Sequence, residues 1–363
     1  MTYASNTTLE RIAERLRGAT KVLLTTHAKP DGDAMGAVVA LGAALESLGK
    51  RVERRIMGPI AGNLAVLTSR TKIIEHQEKK KGSDPFLIDE PDAIVVLDTG
   101  AWSQLETMRA WLEGPGRHMK TMVIDHHERG DDVGAMLYVD SRAAAVCELA
   151  AALIDELGVK RDALMTDALF IGIATDTGWF RFSNTTAGTH ELAATLVRDG
   201  ANTAALYAAM EQADRPQKLA LLQRALNSLR FVADGRAAVM VLRQSDFDET
   251  GARMDETERF VDVPQFVKQM EVVALVVGEK GRTRLSLRSK PGTQGGARPR
   301  KGLALPWLGG GEGNTSGGVD VNELAGRFGG GGHQRAAGAK TDQPVDEVVR
   351  RLIAAIEERM AGT

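Results

Sequence analysis

VLLTTHAKPDGDAMGAVVAL, residues Val22–Leu41, joins two different patterns. Lys21–Thr26 (KVLLTT) is a short apolar run bounded by polar residues, which predicts a strand buried on both faces. Ala34–Gly49 has the periodicity of a helix closed by glycine. Between them lie His27, Asp31 and Asp33, an imidazole and two carboxylates packed into one short turn. RVERRIMG (residues 51–58) predicts a second strand. AIVVLDTG (Ala93–Gly100) and TMVIDHH (Thr121–His127) predict two more, one running out at Asp98 and the other at Asp125-His126-His127. Helical patterns follow over Arg142–Leu157 and Arg161–Ala174. Strands alternating with helices argue for a parallel sheet covered on both faces. Ligands bind such sheets beyond the carboxyl ends of the strands, where His27, Asp98 and the Asp125–His127 group all fall.

A chain of 363 residues accommodates two domains. The expected organisation is α/β throughout. A Rossmann-like parallel-sheet domain over 1–190 is followed by a helical linker over 191–230. A smaller α/β domain with a mixed sheet occupies 231–345, and a terminal helix 346–363, with a cleft between the two domains. Residues 291–318 are dominated by Gly and Pro and predict a flexible insert in the second domain. The net charge of −2 argues against a protein that grips long nucleic acid by neutralising phosphates. Cys147, the lone cysteine, excludes an internal disulfide and a thiolate cluster, and its helical setting predicts a buried thiol. Without an apolar run long enough to span a bilayer or a signal-type N-terminus, the expected setting is cytoplasmic, with no membrane partner.

Each polar position alone has an ordinary reading. His27 fits a loop, Asp33 an N-cap, and Asp98 and Asp125 turns. Together they argue for more. Three apolar strands each end in a potential ligand, and a parallel sheet brings those ends side by side. Aspartates crowded in this way repel one another unless cations neutralise them. A set of Asp and His without Cys suits Mn²⁺ or Mg²⁺, and its carboxylates exceed the need of one ion, so two ions about 3.5–4 Å apart are expected. Asp176, in GIATDTGWFRFSNTT, supplies one further carboxylate.

HAKPDGDAMG, VVLDTG, VIDHH and ATDTGWFRFSNTT resemble the four motifs of the DHH phosphoesterases. RFGGGGHQRAAGAK, with LSLRSK and VDVNELAGRF before it, resembles the C-terminal substrate-binding domain that accompanies them. The two-domain length is most similar to the oligoribonuclease and pAp-phosphatase branch. The resemblance implies that His27, Asp31 and Asp98 hold one Mn²⁺ and that Asp33, Asp98, His126 and Asp176 hold the second. Mg²⁺ or Co²⁺ are substitutes. Asp98 is then the bridging catalytic residue, His127 faces the substrate phosphate, and Asp125 supports the histidine pair. Arg181, Arg288, Ser289, Gly330, Gly331, Gly332 and His333 are the implied substrate contacts. The implied activity is hydrolysis of very short RNA, including linear dinucleotides, to 5′-mononucleotides, with pAp and cyclic di-AMP within range. A RecJ-like exonuclease on single strands, a pyrophosphatase or polyphosphatase, and a nucleotide-binding sensor are the alternatives. Length and charge weigh against the first, the GGGGH segment against the second, and the intact ligand set against the third. Oligomeric state stays open, with the linker helices available for a homodimer contact.

Overall fold

The computed structural model describes residues 3–76, 90–279, 281–290 and 318–361. The chain divides into two units, Met1–Ala213 and Asp214–Thr363, a boundary that falls inside the expected 191–230 linker. The insert expected at 291–318 lies, apart from Gly318, outside the described residues. No helix among the described residues is long and apolar enough to cross a membrane.

The first unit runs α1 (Leu9–Gly18), β1 (Lys21–Thr26), α2 (Gly32–Ser47), β2 (Arg51–Met57), α3 (Ala65–Thr68), β3 (Ile74–His76), β4 (Ala93–Leu97), α4 (Glu106–Leu112), β5 (Thr121–Asp125), β6 (Met136–Val139), α5 (Val146–Glu156), α6 (Ala163–Asp176), α7 (Ala187–Arg198) and α8 (Thr203–Glu211). Its six strands pair in parallel in the order β3-β2-β1-β4-β5-β6. This is the doubly wound order, and the direction of winding reverses between β1 and β4. Strands β4 and β5 are buried along their whole length, and β1 everywhere but its first residue. Their side chains split with the period of two that a pleated sheet demands. Val22, Leu24, Val95, Leu97 and Ile124 enter the core shared with α1, α2, α5 and α6. Leu23, Ile94, Val96 and Val123 pack on the other face with Met108, Trp111 and Leu112 of α4.

Helix α2 starts earlier than its apolar pattern suggests. Asp31, not Asp33, is the N-cap, because its Oδ1 accepts the N–H groups of Asp33 and Ala34, both at 3.0 Å. That frees the Asp33 carboxylate to point elsewhere. Two glycines let the neighbouring helices approach: a Cβ at Gly36 would strike the Ala168 carbonyl, and one at Gly172 would strike Cys147 Sγ. Cys147 is buried in α5 as expected.

The second unit runs α9 (Pro216–Asn227), β7 (Arg230–Val232), β8 (Ala237–Leu242), α10 (Gln244–Thr250), β9 (Val272–Glu279), β10 (Arg282–Ser289), α11 (Val321–Gly326), β11 (Gly331–His333), β12 (Ala336–Thr341) and α12 (Val345–Ala361). Its sheet is mixed, in the order β11-β12-β10-β9-β8-β7, with β8 and β9 parallel and the other pairs antiparallel. Leu352, Ile356 and Met360 of α12 share one face of the helix and one core with Val239, Ala274 and Leu285 of the sheet. The opposite sheet face packs with Leu221 and Ala225 of α9.

Arg215, just before α9, grips Glu256 through two hydrogen bonds, Nε to Oε1 at 2.8 Å and Nη2 to Oε2 at 2.7 Å. The Arg253 N–H adds a third at 2.7 Å. The Arg215 guanidinium therefore pulls the Glu256 carboxyl down to about 2. A folded-state value below the unfolded one gives stability that is full above about pH 5 and fades as pH falls towards 2. Glu256→Gln is expected to lower the melting temperature at pH 7. The gap to wild type should narrow between pH 5 and pH 3 in calorimetry, and a gap independent of pH would contradict the assignment.

Candidate metal centre

Strands β1, β4 and β5 lie side by side, so the residues just past their ends meet. These are His27 after β1, Asp98 after β4, and Asp125, His126 and His127 at the end of β5. The first turn of α2 adds Asp31 and Asp33, and the last residue of α6 adds Asp176.

Hydrogen bonds fix how each group faces. His27 Nδ1 lies 3.0 Å from the Ala28 carbonyl, and His126 Nδ1 lies 3.2 Å from that of Ala143. A carbonyl only accepts, so both Nδ1 atoms carry hydrogen and both Nε2 atoms turn to the carboxylates. His27 Nε2 is 3.5 Å from Asp98 Oδ2. His126 Nε2 is 3.3 Å from Asp98 Oδ1, 3.7 Å from Asp176 Oδ2 and 3.9 Å from Asp33 Oδ2. Asp33 is buried against the start of α5, where the N–H groups of Val146 and Cys147 reach its Oδ2 and Oδ1 at 2.6 and 3.0 Å. That helix end carries partial positive charge and suits a carboxylate. Asp125, fully buried, takes the His126 and His127 N–H groups and the His127 Nδ1 on one oxygen. Its other oxygen accepts from the Tyr3 hydroxyl at 2.7 Å.

Asp98 is the least comfortable member. It adopts φ 63°, in the left-handed region that costs a non-glycine residue energy, and such strain gathers at functional sites. Only 3% of its surface is exposed, yet Oδ1 has no partner of hydrogen-bonding geometry.

The charges are unbalanced in a way that a cation would repair. Burial, then the charges of Asp98 and Asp176, push the Asp33 carboxyl well up. Burial pushes Asp176 up to about 6, with Asp98 adding to the shift. Burial works against the imidazolium of His27 and His126 too, but Asp98, joined by Asp31 at His27 and by Asp33 and Asp176 at His126, outweighs it and lifts them to about 9 and 10. Without a metal, protons collect on these groups because the site lacks positive charge. Two trios present ligand atoms within 4.8 Å of one another, His27-Asp31-Asp98 and Asp33-His126-Asp176, and Asp98 lies against His126 of the second. A third, Asp98-His126-His127, meets the same distance. Of the His127 nitrogens, Nδ1 lies 3.9 Å from Asp98 Oδ1 but is already engaged by Asp125 at 2.7 Å. Oxygen and imidazole donors, an orphaned buried carboxylate oxygen and excess negative charge together fit hard divalent cations.

The remaining expected residues occupy two other places. Arg181 follows α6, with its Nε donating to the Gly178 carbonyl and its guanidinium over the Phe182 ring. In the second unit, Arg288 and His333 both pair with Ala336, one from each side of β12, so they share a register position across the sheet. Arg288 also lies 3.5 Å from Asp262. Ser289 is buried at the end of β10, and Gly330 packs so closely on Gly338 and Ala339 that a Cβ would not fit. Gly332 adopts φ 149°, and the side chain of His333 lies outside the description. Two contributors escape a reading by motif. Asn184, inside the fourth motif, donates to the carbonyls of Ala144 and Asp176 and ties the two loops together. Tyr3 comes from far away in sequence.

Residues 21–173 match the DHH family, N-terminal domain, and residues 234–362 match the DHHA1 domain. The chain belongs to the DHH family of phosphoesterases. It is 28% identical over 341 residues to the bifunctional oligoribonuclease and PAP phosphatase NrnA of Thermus thermophilus, covering 93% of this chain and 90% of that protein. The Bacillus subtilis protein of the same name is 24% identical, with 88% of each covered. The fold of an exopolyphosphatase-related protein from Bacteroides fragilis superposes with a TM-score of 0.83 at 22% identity, over 97% of this chain and 96% of that one.

In this DHH-family chain, Mn²⁺ is expected to stabilise the folded state by relieving the carboxylate cluster. A hundredfold excess over the dissociation constant is worth about 2.7 kcal/mol per site, or a shift of roughly 5–10 °C for a unit of this size. Metal-stripped wild type should show that rise in melting temperature and Asp98→Ala should not. Equal shifts in both would count against Asp98 as a ligand.

Proposed function

We propose that this protein is a Mn²⁺-dependent phosphoesterase that cuts very short oligoribonucleotides, linear dinucleotides among them, into 5′-mononucleotides. The same site would remove the 3′-phosphate of pAp to give AMP. The observation that carries the reading is the Asp98 carboxylate, buried, left-handed and short of a partner between His27 and His126. Its surroundings support one ion held by His27, Asp31 and Asp98 and another by Asp33, Asp98, His126 and Asp176. Paired divalent cations supply an activated water and offset the charge that develops on the phosphoryl oxygens.

The chain's own groups would do the rest. Asp125 holds His127 through Nδ1, which leaves Nε2 on a half-exposed ring to meet the substrate phosphate. Arg181 would take a further phosphate contact. Arg288, Ser289, Gly330, Gly331, Gly332 and His333 would receive the terminal nucleotide in the second unit, where glycine backbone admits a phosphate closely. The preference for small nucleotides draws on the relatives named oligoribonuclease and PAP phosphatase and on the near-neutral net charge of this chain. A cytoplasmic setting is part of this proposal.

Metal-stripped protein is given 5′-phosphorylated diadenylate or pAp, with and without Mn²⁺, and AMP is followed by chromatography. Turnover that requires Mn²⁺ and falls about 1,000-fold or more in Asp98→Ala is expected. No AMP from either substrate at saturating Mn²⁺ would overturn the assignment.

A further inference from the structure

The segment before α1 reaches into the metal centre. β6 is the edge strand of the parallel sheet, and an edge leaves backbone groups unpaired. Ser5 and Asn6 cover them. Ser5 Oγ accepts from the Val139 N–H at 2.7 Å and donates to the Val139 carbonyl at 2.9 Å. Asn6 accepts from the Leu137 N–H at 2.8 Å through Oδ1 and donates to the Ala135 carbonyl at 3.1 Å through Nδ2. Its backbone N–H donates to the Leu137 carbonyl at 2.9 Å.

This clamp delivers Tyr3 into a slot between two glycines. Gly100 lies two residues past Asp98, and Gly130 lies three past His127. A Cβ at Gly100 would strike the Tyr3 hydroxyl, and one at Gly130 would strike its ring. Tyr3 therefore touches the loop that carries Asp98 and the loop that carries the histidine pair. Its hydroxyl donates to Asp125 Oδ2 at 2.7 Å. Asp125 is fully buried, and its other oxygen is spent on His126 and His127, so the phenol alone satisfies Oδ2 among the described contacts. A buried carboxylate oxygen left unpaired is costly, and the carboxylate would turn to recover a donor.

We propose that Tyr3 is a positioning residue: through Asp125 it fixes the orientation of the His127 ring, which makes the N-terminal arm part of the phosphoester site. The proposal rests on the function argued above for its kinetic consequences, but its structural claim is independent of turnover.

Tyr3→Phe keeps the ring in its slot and removes only the donor. Loss of a supporting hydrogen bond of this kind typically costs 10–100-fold. A fall in kcat of about tenfold with KM within twofold is expected for diadenylate. If Tyr3 acts through Asp125, the double variant Tyr3→Phe/Asp125→Asn should be no slower than Asp125→Asn alone. In the metal-free protein, the side-chain nitrogen NMR signals of His127 should move in Tyr3→Phe while those of His190, stacked on Phe180, stay in place. Unmoved His127 signals overturn the proposal whatever the turnover. So does an active enzyme whose kcat stays within twofold, or whose KM alone rises. A wild type that turns over neither nucleotide sinks the functional reading instead, and the His127 signals then decide the role of Tyr3.

Discussion

Mutual repulsion among Asp31, Asp33, Asp98 and Asp176 is the constraint around which the first unit is organised. Burial and neighbouring charge press on Asp33 and Asp176, whereas at Asp98 burial is outweighed by His126 and His27, which keep it ionised. Asp31 is tied down as the cap of α2, and Asp33 is driven into the protein until both oxygens meet the start of α5. Asp98 sits in a left-handed backbone conformation at the point where the sheet reverses its winding. The two imidazoles can offset only part of that charge, and they do so by taking on protons. Divalent cations displace such protons, so metal occupancy and the electrostatic balance of the fold are one problem.

The helices serve the same end. α2, α5 and α6 approach so closely that Gly36 and Gly172 have no space for a Cβ, and Asp33 lies within the zone of that contact. Rigid elements thus position the acidic groups, as a metal site with exacting distances requires. His127 is different. It stands on the loop after β5, half exposed and held by one carboxylate, which suits the substrate-facing role proposed for it.

Much of this was legible in the sequence because strong signals and close spacing coincide. Lys21–Thr26 is the observed span of β1, Ala93–Leu97 and Thr121–Asp125 follow the apolar runs that predicted them, and the strand expected over 51–58 is observed at Arg51–Met57. Short or weakly patterned strands were not legible: β3 has three residues, β6 is only half-buried, and β12 reads AAGAKT, with little β propensity. The linker helices were foreseen, but not that α7 and α8 belong to the first unit and α9 to the second. At the site, the candidate ligands could be named from motifs, whereas the partners that aim them could not. Asp31 caps α2, and Asp33 instead meets the start of α5, which arrives from far along the chain. Tyr3 meets Asp125 across 122 positions, a contact that no local pattern encodes.

The central claim is that Asp98 joins two cations into one centre. Titration of metal-stripped protein with Mn²⁺, followed by electron paramagnetic resonance, tests it most directly. The account predicts two ions per chain with the exchange-coupled spectrum of a pair about 3.5–4 Å apart, lost in Asp98→Ala. A single bound ion, or two uncoupled ions that survive the substitution, would contradict it.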